Sequence, residues 1–144
     1  MSRVFNPVYS SLTDGEDITL CRILEAVGSI SNSYSNGTPL SVVSSSGLNA
    51  LAVKASSGYV CNMIVSNMVS SARFILLYNK ATTPTPGTDT PVYVIGVNAN
   101  QTVSIPFGNN PLVFTSGIGL SMATSAAGSG NLSANDVVLN LTFA

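Results

Sequence analysis

Short stretches of alternating apolar and polar residues, each stopped by Pro, Gly or Asn, constrain this chain more than any other feature. Asp136–Ala144 alternates strictly, Val137, Leu139, Leu141 and Phe143 against Val138, Asn140 and Thr142. Gln101–Phe107 sets Val103, Ile105 and Phe107 against Thr102, Ser104 and Pro106. A period of two is the mark of a strand with one buried face. Val60–Met68 is β-prone, and Arg73–Tyr78 is the most apolar run, suited to a central strand. The stretch 79–91 carries Pro84, Pro86, Gly87 and Pro91, which exclude a central strand and demand an extended loop. Pro91–Val97 resumes a strand, Gly108–Pro111 turns the chain, and Leu112–Thr115 leads into the Gly-punctuated stretch 116–124 and a small-residue loop at 125–133. About six or seven short strands between turn signals predict an all-β fold, an antiparallel β-sandwich that is jelly-roll-like or immunoglobulin-like.

Residues 1–46 read differently. Gly28–Ser46 is rich in Ser, Asn and Gly and has few large apolar groups, too little to offset its ordering entropy alone. Before it, Ile18, Leu20, Ile23, Leu24 and Val27 form one face of a short helix, or Ile18 and Leu20 begin a strand; the pattern fits both. The expected organisation is an N-terminal arm over 1–46, extended or partly ordered on a partner, and a sandwich over 47–144. The five apolar residues of the arm are the candidate partner-binding residues.

Composition narrows the function. The chain has no His and no Trp, and only 8% of its residues are charged. Ser, Thr and Asn number 22, 12 and 14, together 48 of 144 residues. Acid–base and nucleophilic catalysis need titratable groups held together, and few are present here. Without His a Ser–His relay cannot form; a Ser–Lys dyad with Lys54 or Lys80 remains conceivable, although both are expected to point to water. Thr13–Asp17 gathers three acids that suit a hard cation or, more simply, a capped turn. Cys21 and Cys61 allow one disulfide by count alone, and neither C-x-x-C spacing nor His completes a zinc site. Asn36, Asn100, Asn131 and Asn140 open glycosylation sequons, frequent by chance in such a composition. Tyr78 and Tyr93 are expected in the core or on a sheet face. With a net charge of −1 and scattered basic residues the chain lacks the electrostatic footprint of a nucleic-acid binder. No apolar run is long enough for a membrane helix, and the N-terminus lacks a secretory h-region. No enzyme activity, cofactor or metal is expected. A polar, nearly neutral surface suits packing against other proteins, where an unpaired buried charge is costly, and low net charge favours association.

The runs 74–81, 82–91, 92–97 and 103–108, followed by 114–121 and 135–141, read as a strand ending in Tyr78-Asn79, a Pro/Thr loop, a strand, a strand ending in Phe107-Gly108, the segment Thr115-Ser116-Gly117-Ile118, and a terminal Asp136-Val137-Val138 strand. In this order they resemble small virion proteins of tailed bacteriophages, most of all capsid decoration (cement) proteins, over about residues 50–144. The resemblance implies a β-sandwich on the capsid surface of a virion. It implies a homo-oligomer, a trimer in the form the family favours, bound to the major capsid protein, with no nucleic-acid or membrane partner. The alternative is a tail-fibre or spike module that binds a host receptor.

Overall fold

The computed structural model describes residues 37–108 and 110–144, and among them the secondary structure is entirely β. Nine strands follow one another: β1 (Thr38–Val43), β2 (Leu51–Lys54), β3 (Gly58–Asn67), β4 (Arg73–Asn79), β5 (Tyr93–Val97), β6 (Thr102–Pro106), β7 (Leu112–Phe114), β8 (Ile118–Ala123) and β9 (Val137–Phe143). The first sheet runs β1-β9-β3-β6, with β7 beside the start of β3; the second runs β2-β8-β4-β5. All pairings are antiparallel.

The partners nest. β1 pairs β9, β2 pairs β8, β3 pairs β6 and β4 pairs β5. A hairpin ribbon rolled into two sheets gives this order, so the sandwich is a jelly roll. An immunoglobulin-like sheet joins several chain neighbours by hairpins; the first sheet here pairs no two strands that follow one another in the chain.

Alternation explains which residues fill the core. Met63 and Val65 of β3, Leu139 and Leu141 of β9, Ile75 and Leu77 of β4, and Leu120 and Met122 of β8 meet between the sheets, all essentially inaccessible to water. Leu40, Val42, Val103, Ile105 and Phe143 pack against them from the flanks. Arg73–Asn79 is an interior strand, as its apolar run predicts, and 80–92 is the expected loop.

Two expectations need correction. The expected boundary at 46/47 runs through folded structure: Thr38–Val43 is paired along its whole length with β9, and the compact unit begins at Gly37. Inward Leu40 and Val42 supply apolar surface that Ser-rich composition conceals. Buried Ser44 then closes the join, its hydroxyl donating to the Ser133 carbonyl at 3.0 Å and accepting from the Val137 amide at 3.0 Å. The stretch 118–123, expected only as Gly-punctuated chain, is the wholly buried strand β8.

The outer faces of the two sheets differ. That of the second is closed by its own chain. Leu76, Tyr78 and Ala123 form a second apolar cluster there, flanked by Leu48 and Phe74. The loop 80–92 lies on it, and a Cβ at Gly119 would stand 3.3 Å from the Pro84 ring. The loop 124–131 meets it, with buried Gly128 against Leu76 and Pro86. The Tyr78 and Ser121 hydroxyls pair at 3.1 Å beneath this cover. Gly117 permits the tightest approach: a Cβ there would fall 2.6 Å from the Ala81 Cα and 2.8 Å from the Lys54 carbonyl oxygen.

Candidate functional site

The outer face of the first sheet has no such cover among the described residues. The register sets its side chains in three rows across β1, β9, β3 and β6. Pro39, Thr142, Asn62 and Pro106 form the first row. Ser41, Asn140, Ile64 and Ser104 form the second. Val43, Val138, Ser66 and Thr102 form the third. Every one of these is exposed or half-buried, and none carries a charge. Val43 is 51% and Ile64 41% exposed, and with Pro39, Pro106 and half-buried Val138 they set apolar contacts within a field of hydroxyls and amides. A shallow hollow of about 430 Å³ lies between Pro39, Ser41, Ile64 and Asn140. The Ser66 and Thr102 hydroxyls pair at 2.9 Å along the third row.

The charges stand elsewhere. The charged side chains among the described residues are Lys54, Arg73, Lys80, Asp89 and Asp136. Arg73 donates through Nη2 and Nε to Asp136 Oδ2 at 2.9 and 3.2 Å, tying β4 to the start of β9. The Ser133 amide also donates to that oxygen, at 3.1 Å. This backbone bond is the main cause that holds the Asp136 carboxyl below the usual carboxylate range; Arg73 adds to it and burial opposes it. Lys80 meets Asp89 at 2.5 Å, and the Thr85 amide donates to the same oxygen, folding the Pro-rich loop on itself. These contacts lower the Asp89 pKa, the Lys80 bond most of all. Four of the five described charges are thus paired with one another, Lys80 while still partly in water, and the broad face is left neutral. Carrying such a face into a dry interface costs no desolvation of ions.

Ile18, Leu20, Ile23, Leu24 and Val27 lie outside the described residues, as do Thr13–Asp17, Cys21 and Asn36. Cys61 is a buried free thiol at an irregularity of β3, and burial raises its pKa, which keeps it protonated and unreactive. Among the described residues no three His, Cys, Asp or Glu side chains come together in a way that would hold a metal ion. No helix among them is long and apolar enough to cross a membrane. Lys54 and Ser57 share a hollow of about 420 Å³ with Tyr59 and Val113. Tyr78 is in the core; Tyr93 is 37% exposed, its ring edge-on to Phe114 at 5.8 Å. Sequence reading separated two parts of the neutral face, the polar sides of β6 and β9. It missed Ile64, which sits in an apolar run and reads as core; its position between Met63 and Val65 was the available signal.

No protein-family model matches the chain, and no curated protein does. Among solved structures it is similar to the coat protein of tobacco streak virus. The dimer of that protein shares 12% identity over 76% of this chain and 85% of the other, with a TM-score of 0.38. A second crystal form shares 11% over 74% and 84%, with a TM-score of 0.35.

Proposed function

We propose that this protein is a non-enzymatic structural component of a virion, a capsid-decorating protein that binds the head shell as a symmetric oligomer through the outer face of its first sheet. The observation that carries the reading is the contrast between the two outer faces. One is sealed by two loops of its own chain; the other is broad, neutral and, among the described residues, bare. The jelly roll is a fold used in viral capsids and also in lectins and cupins, so it agrees with the reading by analogy only.

The dimensions support an attachment by avidity. Four strands spaced about 4.8 Å apart, with three outward residues each, span roughly 400 Å². That is about half of what each partner contributes to a standard specific interface. One contact is therefore weak, and firm attachment needs several copies tied together, so that avidity multiplies the affinities. Residues 1–36 add a second attachment in this reading, with Ile18, Leu20, Ile23, Leu24 and Val27 as its apolar contacts to a capsid subunit.

The test is to locate the protein on particles from the parent culture with a gold-labelled antibody, and to add purified protein to particles that lack it. Regular label over the head, and co-sedimentation lost in Ile64→Lys without loss of folding, is the expected result. Label confined to a tail tip would replace this reading with the receptor-binding one. No label on any particle would end both.

A further inference from the structure

The two sheets of the sandwich leave four edges, and three carry devices that stop them from pairing with another chain. The β2 edge is four residues long, has a register irregularity between Ala52 and Lys54, and ends in a lysine. The edge formed by β6 and β7 is broken into two short strands and holds Pro106 and Pro111. The β1 edge carries Pro39 at its second position. Prolines, bulges, lysines and shortness are the standard means by which an edge is kept from adding strands.

The fourth edge, β5, is also only five residues long and follows Pro91, but within the strand it carries no proline, no lysine and no break in register. Tyr93–Val97 contains no proline and no charge, pairs with β4 in unbroken register from Arg73↔Val97 to Leu77↔Tyr93, and has no other strand partner among the described residues. Its leading end is apolar and wet, with Val92 49%, Tyr93 37% and Val94 44% exposed. No Asp, Glu, Lys or Arg occurs between Asp89 and Asp136, so the chain around it is neutral as well.

We infer that β5 is a self-pairing edge, at which a second copy of this chain adds its own β5 antiparallel about a twofold axis near Val94 and Ile95. The second copy fits on charge. A twofold brings like residues together, and like charges opposite one another would repel; here Val94 meets Val94 or Gly96, and Tyr93 meets Ile95 or Val97. The two four-stranded sheets then become one sheet of eight. This deepens the oligomer in the proposed function, but the pairing is a property of the free protein, measured without particles.

Sedimentation of the full chain at micromolar to tens-of-micromolar concentration tests it, with circular dichroism to confirm folding. The wild type is expected to dimerise reversibly. Val94→Lys and Val94→Glu, each alone, should dimerise at least tenfold more weakly, and mixing the two should restore the dimer, because the opposed charges then meet across the axis. Val113→Lys, at a 63% exposed position of the other sheet, should dimerise like the wild type. A monomeric wild type would overturn the inference. So would a trimer, a Val94→Lys protein that dimerises normally, or a mixture that fails to recover. Particle attachment that persists in a monomeric Val94→Lys would leave the virion reading standing without β5.

Discussion

Asn67 makes the sharpest claim on stability, because a polar side chain that is 1% exposed holds three chain segments at once. Its two Nδ2 hydrogens are shared among three carbonyl oxygens, those of Ser71 at 2.8 Å, Val97 at 3.0 Å and Asn98 at 2.9 Å. Its Oδ1 accepts from the Val69 amide at 3.2 Å. The end of β3 is thereby tied to the turn before β4 and to the turn between β5 and β6. Asn67→Ala removes two donated hydrogens and one accepted bond, each worth about 1 kcal/mol net, and strands the Val97 carbonyl in a dry place for about 1 kcal/mol more. Water can reach the Ser71 and Asn98 carbonyls, which lie at exposed residues, and this limits the total to about 3–4 kcal/mol. A domain of this size has about 5–15 kcal/mol in all, so the midpoint should fall by roughly 10–20 °C.

Asn67→Asp separates this mechanism from simple loss of packing. The volume is unchanged, but a carboxylate would face three carbonyl oxygens. Its folded-state pKa must then rise above the unfolded value of about 3.9. Below that value the acid is neutral in both states and the variant loses least. As pH rises, the unfolded chain ionises first, and stability falls further. Urea titrations at several pH values between 4 and 7 should show the gap from wild type widening with pH for Asn67→Asp and staying level for Asn67→Ala. An Asn67→Ala protein within about 1 kcal/mol of wild type, or an Asn67→Asp gap independent of pH, would refute the argument.

Gly117→Ala sets a methyl group against the backbone of Ala81 and Lys54, atoms that cannot rotate away; it should cost about 3 kcal/mol, read by thermal unfolding. Asp136→Asn should cost about 2 kcal/mol at pH 7; because the wild-type carboxyl titrates below its usual range, its stabilisation is present at neutral pH and fades as pH drops below about 4, so the variant's acid unfolding curve should be the flatter one. Removing residues 1–36 should leave a domain with the wild-type urea midpoint that attaches poorly to particles, whereas removing 1–46 takes β1 and Ser44 away and should unfold it; protease resistance distinguishes the two. Ile64→Lys should reduce particle co-sedimentation at least tenfold with less than about 0.5 kcal/mol change in stability, as befits an exposed site.

What the sequence disclosed depends on where each strand lies. β6 and β9 have one wet face, so their alternation is visible and predicted the inward residues correctly. β8 is buried on both sides; Gly119, Ser121 and Ala123 are small because loops press on them, and no alternation is left to read. β1 was hidden by its company, since Thr38–Val43 carries modest apolar groups inside a Ser-rich stretch. The fastener that secures it, Ser44, is itself one of the residues that made the stretch look unstructured. The nesting that selects a jelly roll over another sandwich is a matter of pairing between residues as distant as Thr38 and Phe143, which local patterning does not contain. The neutral face was half legible for the same reason: single strands show their polar sides, but only the register shows that four such sides adjoin.

The economy of charge in this chain therefore has a spatial meaning. In an ordinary soluble domain, charges scattered over a sheet face prevent association. Here four of the five described charges pair with one another, as Lys80–Asp89 and Arg73–Asp136, while the first sheet's outer face and the β5 edge carry none. Neutrality alone would invite disordered aggregation, but three of the four edges are blocked by proline, lysine or irregular register. Among the described residues the first sheet's outer face and the β5 edge stay open, and they lie on different sheets. If the two proposals hold, the chain binds its own copy through one surface and a shell through the other, and that division favours an ordered assembly over a precipitate.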